Sequence, residues 1–534
     1  ALKVSPNELN LEKPFIENNI KFTKIAYGLD DVVEKDFSTA EKINKEMLET
    51  AAETIENVRI LDWRPLTQTY KQTQEIRLYY DLSGIDIDRY VIDGKYTQVM
   101  IAPRELDQNQ IAENAKTWVN LHMIYTHGFG IVMSPVNLVT DEGLPHFFVK
   151  DIPPINLNKD KSLDVEEPRI YYGEKQTEFI LANTQTKEFD FPKGTTNEYI
   201  NYDGKGGIVL DTFFKKLLMA MRFKDIKILL SSDVKSNSKI MFDRSIQTRI
   251  NKITPFLSLD QDPYLVLSEG RLFWIQDAYT TTGNFPYSQK FGDINYMRNS
   301  VKIVVDAYNG DVTYYVTNLK DPLMLTYAKI FPLQFKQLKD MPKGLQEHIR
   351  YPEDLFKVQS SLYTIYHMND PAVFYNKEDA WQIPTEIYGT NQQIKVEPYY
   401  IIMKLPGEEK EEFVLMTPFT PLKKDNMISW FAARSDGENY GKLLLYKFPK
   451  DKLVYGPLQI EAKFNQDSEI SQQLTLWSQQ GSRVTRGNLL VIPIEDSLLY
   501  IEPLYISAEK GQLPQLKRVL VSDGERVVME ENLG

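Results

Sequence analysis

Apolar positions along this chain repeat with two periods, and the switches between them mark out its elements. Between Ser38 and Asn57, the residues Ile43, Met47, Ala51 and Ile55 form a stripe at helical spacing. Ser38 and Glu41 supply the capping-box pair that starts a helix there. A second helix is expected from Asp107, as N-cap, to His127, with Ile111, Ala115, Trp118, His122 and Tyr125 on one face and Gly128 as its stop. A third covers Asp211 to Phe223. Its apolar face of Phe214, Leu217, Leu218 and Met221 is read as buried core, with a membrane-surface helix as the alternative. A fourth starts at Pro352 and runs through Leu355, Val358, Leu362 and Ile365.

Elsewhere the period is that of strands. QEIRLYYDL from Gln74 and RYVIDGKYTQVMIAP from Arg89 alternate or carry β-branched and aromatic residues, and Asp93-Gly94 is a hairpin turn. Glu269-Gly270 and Asn309-Gly310 predict two more hairpins, in PYLVLSEGRLFWIQDAY and SVKIVVDAYNGDVTYYV. YYIIMKLP, EEFVLMTPF, GKLLLYKFP, NLLVIPIEDSLLYIEPLYI and KRVLVSDGERVVM extend the strand-rich pattern towards the C-terminus. The pattern predicts an α+β fold in which β predominates, built of antiparallel sheets and hairpins with several amphipathic helices. The Pro- and charge-rich stretch Asp151 to Pro168 reads as a linker or surface crossing. It places an α+β N-terminal domain at 1–160 and a larger β-rich domain at 161–534, with a further division admitted near 320–345.

Composition narrows the functions. The 534 residues are 42% hydrophobic and 12% aromatic, enough for a sizeable core, and a net charge of −12 without a Lys/Arg-rich run argues against nucleic acid and anionic lipid headgroups. With no cysteine, disulfides, thiolate metal sites and a Cys nucleophile are excluded. Thr117–Thr140 lacks Asp, Glu, Lys and Arg, yet Pro135 and the Gly128-Phe129-Gly130 break deny it a continuous span of ~20 apolar residues. No export signal opens the chain, which begins in polar sequence.

Long segments carry a resemblance. TWVNLHMIYTHGFGIVMSPVN from Thr117, RSIQTRINKITPFLSLDQDPYLV from Arg244, DAYTTTGNFPYSQ from Asp277, HIRYPEDLF from His348, ARSDGENYGKLL from Ala433 and QDSEISQQLTLWSQQGSRVTRGNLLVIPIEDSLLYIEPLYI from Gln466 are among them. On these the chain resembles uncharacterised protein family 0182 of bacterial multi-pass membrane proteins, from Pro6 to Arg526. The resemblance implies the large soluble domain on the extracellular or periplasmic side of the plasma membrane, with the transmembrane helices outside these residues. It implies no known reaction.

Candidate chemistry is sparse. His122 and His127, with His146 and Glu142 nearby, invite a metal, but five residues on a helix set two rings about 140° apart rather than on one face. A satisfied core histidine is the plainer reading of His122. Asp81, Asp86 and Asp88 in DLSGIDID, and Asp260 and Asp262 in LDQDP, are hard oxygen donors suited to calcium or another divalent cation, though neither segment follows an EF-hand loop and Asx-turns explain them as well. No G-x-S-x-G, S-x-x-K or H-E-x-x-H occurs, and DGKGG at Asp203 lacks the order of a phosphate loop. Trp274, Tyr279, Phe285, Tyr287 and Phe291 cluster about a polar turn, as core or as a platform for sugar rings or a partner chain. The expectation is therefore a non-catalytic binding or assembly module of the cell envelope that needs no cofactor and meets a protein, a glycan or its own copies. The alternative is a hydrolase of a wall or surface polymer.

Overall fold

The predicted turn dipeptides set the hairpins. In the computed structural model, which describes residues 7–39, 42–82, 84–479, 481–508 and 513–533, Asp93 and Gly94 both take positive φ and fold Asp86–Ile92 onto Lys95–Pro103. Glu269 and Gly270 do the same between Tyr264–Ser268 and Arg271–Thr282. Gly310, at φ +71°, turns Tyr296–Asp306 into Val312–Val316; a Cβ there would lie 2.4 Å from the Tyr172 ring, so only glycine fits. Strands occupy about 34% of the chain and helices 27%, which makes the fold α+β with β predominant.

Four sheets carry the structure. A five-stranded antiparallel sheet runs from Asp86–Ile92 through Lys95–Pro103 and Ile131–Pro135 to Val149–Lys150 and Ile155–Asn156. A six-stranded sheet is built on the long pair Arg271–Thr282 and Tyr296–Asp306. Another six-stranded sheet centres on Glu411–Pro421 and Ser429–Arg434, with Val33–Asp36 added parallel at its edge. The last has five strands around Ser497–Ala508. The first two sheets share one apolar cluster, in which Tyr90, Ile101 and Met133 pack with Trp274, Val301 and Val305. The boundary drawn at residue 160 thus runs through a common core. Along Asp151–Pro168, Ile155–Asn156 is a strand, Leu163 is buried, and the Glu166 and Glu167 amides donate to the Gly270 carbonyl, so this crossing is tied down at both ends.

Three helix expectations are corrected. The helix expected from Ser38 begins at Lys45, because the Asn44 side chain accepts the Met47 amide and caps it; Glu41, half of the expected capping box, lies outside the described residues. No continuous helix spans 107–127. Asp107 does cap a turn, but Gln108 donates to the Leu121 and Tyr125 carbonyls and Asn120 to that of Ala115, leaving short 3₁₀ turns and a π-helical segment, Asn120–Ile124. The strand expected from Gln74 is confined to Tyr80–Asp81, and a helix, Trp63–Gln74, capped by Asp62, precedes it. Phe213–Phe223 is a helix as predicted, but Phe214 and Met221 are 65% and 67% exposed, so its predicted apolar face is not core. Among the described residues no helix is long and apolar enough to cross a membrane.

Candidate functional site

Two Asp-rich segments far apart in sequence meet at one cleft. Asp86 opens its strand beside the edge strand Tyr264–Ser268, whose free amides take side-chain acceptors in place of a strand partner. Leu265 N–H donates to Asp86 Oδ2 at 2.9 Å, and Leu267 N–H donates to the Tyr90 hydroxyl at 3.0 Å. This register brings DLSGIDID against LDQDP. Asp260 is buried, accepting the Tyr279 hydroxyl and the Asp262 amide, and that turn directs the Asp262 carboxylate outward.

The link between them is Arg350, which sequence reasoning missed. Its Nη2 donates to Asp262 Oδ2 at 2.8 Å and lies 3.7 Å from Asp86 Oδ1, while Nη1 donates to the Ile87 carbonyl at 3.2 Å. The guanidinium sits 4.0 Å from the Tyr264 ring centre, so both its faces and its edges are engaged. The whole segment His348–Arg350 threads this layer. His348 Nδ1 is 2.8 Å from Asp88, the Ile349 carbonyl accepts Arg89 at 2.7 Å, and the Arg350 carbonyl accepts Lys302, itself 2.5 Å from Asp277. Asp88 is therefore sealed behind the cleft, while Asp86 and Asp262 face into it. The only sequence signal for these partners was their place in the quoted HIRYPEDLF segment, because nothing local ties Arg350 to Asp86.

The cleft encloses about 390 Å³. Asp86, Asp260, Asp262, Glu353, Asp354 and Glu397 line it against Arg59, Arg350 and Lys357, with Trp63 at its rim. Burial, reinforced by the Asp262 charge, pushes the Asp86 carboxyl well above the usual carboxylate range despite Arg350. Burial likewise raises Asp277 to about 6 and depresses Lys302. Glu105, in the short strand Glu105–Leu106, and Glu174 are lifted to about 7 and about 8, chiefly by burial.

Larger space exists elsewhere. A groove of about 1270 Å³ runs past Arg64, Tyr388 and Arg486, but its described lining contains no Asp or Glu. Beneath it Glu386, Glu461 and Glu502 are at most 1% exposed, and burial raises them to about 8, about 9 and about 7. Glu502 sits 3.0 Å from Arg486, and Glu461 accepts the Ile387 amide. Closed to solvent, they hold the fold rather than a ligand. The smaller cleft differs in bringing largely buried carboxylates and cations from distant segments together around one opening.

The remaining candidates scatter. His122 Nδ1 pairs with the Phe179 carbonyl at 2.8 Å, and burial depresses its ring. His127 is buried between Thr126, 2.8 Å away, and Asp190, 3.3 Å away, while His146 and Glu142 are exposed. Asp81 pairs with Lys71 at 2.9 Å and Lys175 at 3.5 Å. Among the described residues, no group of three or more His, Asp or Glu side chains is placed to hold a metal ion. Trp274 and Tyr279 are core, the indole donating to the Tyr172 carbonyl at 3.0 Å. Phe285 and Tyr287 pack on Phe22 of the N-terminal helix Glu8–Tyr27, and Phe291 is half-exposed. These five do not form one open platform.

The fold and site define a β-predominant α+β protein with a carboxylate-lined cleft braced by a buried ion-pair layer. The model of the Uncharacterised protein family (UPF0182) matches residues 1–477, and the chain belongs to that family. A UPF0182 protein of Pelotomaculum thermopropionicum is 54% identical over 99% of this chain and 58% of its own length. Those of Desulforamulus reducens and Trichodesmium erythraeum are 53% and 51% identical over 99% of this chain, and over 57% and 59% of theirs. The chain thus spans a little under three-fifths of these relatives' length. No solved structure matches it.

Proposed function

We propose that this chain is an extracytoplasmic, non-catalytic binding module of a larger plasma-membrane protein, and that its cleft takes a hydroxyl- or amine-bearing envelope glycan. The observation that carries this reading is the position of Arg350. Carboxylate-pair hydrolysis needs the two carboxyl groups to flank a scissile bond across an open gap. Here the Arg350 guanidinium spans from Asp262 to Asp86 and fills that gap. What remains open is an acid-rich rim with Trp63 beside it, which suits hydrogen-bond donors and the apolar face of a sugar ring. The envelope setting draws its support from the resemblance to multi-pass membrane proteins and from the greater length of the relatives.

The test is titration of the chain with chito-oligosaccharides in acetylated and deacetylated forms, followed by calorimetry and by a reducing-end assay. Binding of the deacetylated, cationic form is expected, weakened about tenfold by Asp262→Asn or Trp63→Ala, with no new reducing ends. Binding indifferent to both substitutions, or none, would overturn the cleft assignment. Release of reducing ends would overturn the non-catalytic reading in favour of hydrolysis, for which Asp86, its carboxyl pushed well above the usual range by burial, is the candidate acid.

A further inference from the structure

The helices Phe213–Phe223 and Lys227–Leu230 are apolar on two opposite sides. At about 100° per residue, Phe214, Leu218 and Met221 fall within a narrow arc. Met219, Ala220 and Phe223 lie roughly opposite and pack onto Leu181, Leu210 and Ile240 of the body. The second side has no cover among the described residues. Phe213, Phe214 and Met221 are 70%, 65% and 67% exposed, and Ile226 and Leu230, one turn apart on the next helix, are 56% and 73% exposed. Such a concentration of large apolar groups in water marks an interaction surface.

Charge decides what covers it. Phe213–Leu230 holds Lys215, Lys216, Arg222, Lys224 and Lys227 against one carboxylate, Asp225, in a chain whose net charge is −12. Lys215 and Arg222 lie about a quarter turn from the apolar arc. Both are about half-exposed and pair at the surface with Asp211 and Asp243, and Arg222 also lies over the Phe242 ring at 4.6 Å. An apolar ridge flanked by cations is the pattern of a helix lying in the plane of a bilayer, with its rings at the headgroup–acyl boundary and its cations at anionic headgroups. The lack of a Lys/Arg run in the sequence does not bear on this, because the helix sets Lys215 and Arg222, seven residues apart, on one flank of the ridge.

We propose that the helical pair Phe213–Leu230 seats this domain on the surface of an anionic phospholipid bilayer. The site shares no residue with the cleft, so glycan binding and bilayer binding stand or fall separately. Flotation of the chain with vesicles of phosphatidylcholine, with and without phosphatidylglycerol, is the direct test. Binding is expected with phosphatidylglycerol and is weakened by salt. Phe214→Ser/Leu218→Ser/Met221→Ser should reduce it about tenfold or more, and Lys224→Glu/Lys227→Glu should remove the preference for anionic vesicles. Phe214→Trp should show a blue-shifted emission on those vesicles. Phe214 and Met221 are exposed beyond half, Lys224 follows the first helix and Lys227 is an exposed residue of the second, so circular dichroism and unfolding midpoint should match the parent. Absence of phosphatidylglycerol-dependent flotation, or flotation unchanged in the triple-serine variant, overturns the proposal. A dimer in solution that the same variant dissociates would assign the ridge to a second copy instead.

Discussion

The layer behind the cleft and the helical pair Phe213–Leu230 are opposites. In the first, Asp88, Arg89, Asp277, Lys302 and Arg350 are charged and almost wholly buried, and each finds a partner on another strand or segment. In the second, Phe213, Phe214 and Met221 are apolar and turned out to water with no cover among the described residues. Charge inside and grease outside both run against the usual distribution of residues. The difference is that the buried charges complete each other within the chain, whereas the exposed rings need something beyond it. A burial anomaly that is internally satisfied braces a structure, and one left unsatisfied points to a partner.

The sharpest way to break that contrast is Lys302→Met. The ammonium is fully buried, 2.5 Å from Asp277, and it also holds the Arg350 carbonyl. Removing one member of such a pair leaves the other uncompensated and should cost about 3–5 kcal/mol at neutral pH, measured by urea unfolding. Asp277 sits at about 6 with the lysine present. Its raised value stabilises the folded state below the usual carboxylate range, and that contribution is lost as pH climbs through about 6. Without Lys302 the loss should shift to higher pH. A cost under about 1 kcal/mol would mean that the pair is solvated and the layer is not a brace.

A pH-dependent effect is expected beneath the large groove. Glu461 and Glu386 are raised to about 9 and about 8, mainly by burial, so the folded state keeps protons that the unfolded chain gives up near the ordinary glutamate value. Stability should therefore decline between about pH 5 and pH 9, with each such group contributing at most about 1.4 kcal/mol per pH unit. Glu461→Gln removes the titration while keeping the acceptor for the Ile387 amide, so the decline should flatten. A slope identical to the parent would show that these carboxyls are already ionised at neutral pH.

Legibility in the sequence followed the range of the interaction. Asp93-Gly94 and Glu269-Gly270 announced their hairpins because a two-residue turn is decided by its own φ preferences, and Gly310 marked the longer loop 307–310 by the positive φ it supplies. The Asp-rich segments were legible as donors but not as neighbours, since a long-range edge contact, Leu265 to Asp86, joins them. Arg350 was invisible for the same reason. The helix read over 107–127 failed because Gln108 and Asn120 spend their amides on nearby carbonyls, a choice that apolar periodicity does not record. For Phe213–Phe223 the period was right and the cover was wrong: periodicity shows that a face is apolar and is silent on what lies against it.

That last case yields the smallest expected effect and the most discriminating one. If the Phe214 ring faces water in the isolated chain, Phe214→Ser removes almost no packing, and the unfolding midpoint should move by no more than about 0.5 kcal/mol equivalent. A core phenylalanine replaced in this way costs several times that. A loss of about 3 kcal/mol would place the ring against another part of this chain, returning the helix to the core reading and removing the free surface on which bilayer contact depends. Near-neutral stability together with lost flotation is the pairing that separates a ridge used outside the molecule from one that holds it together.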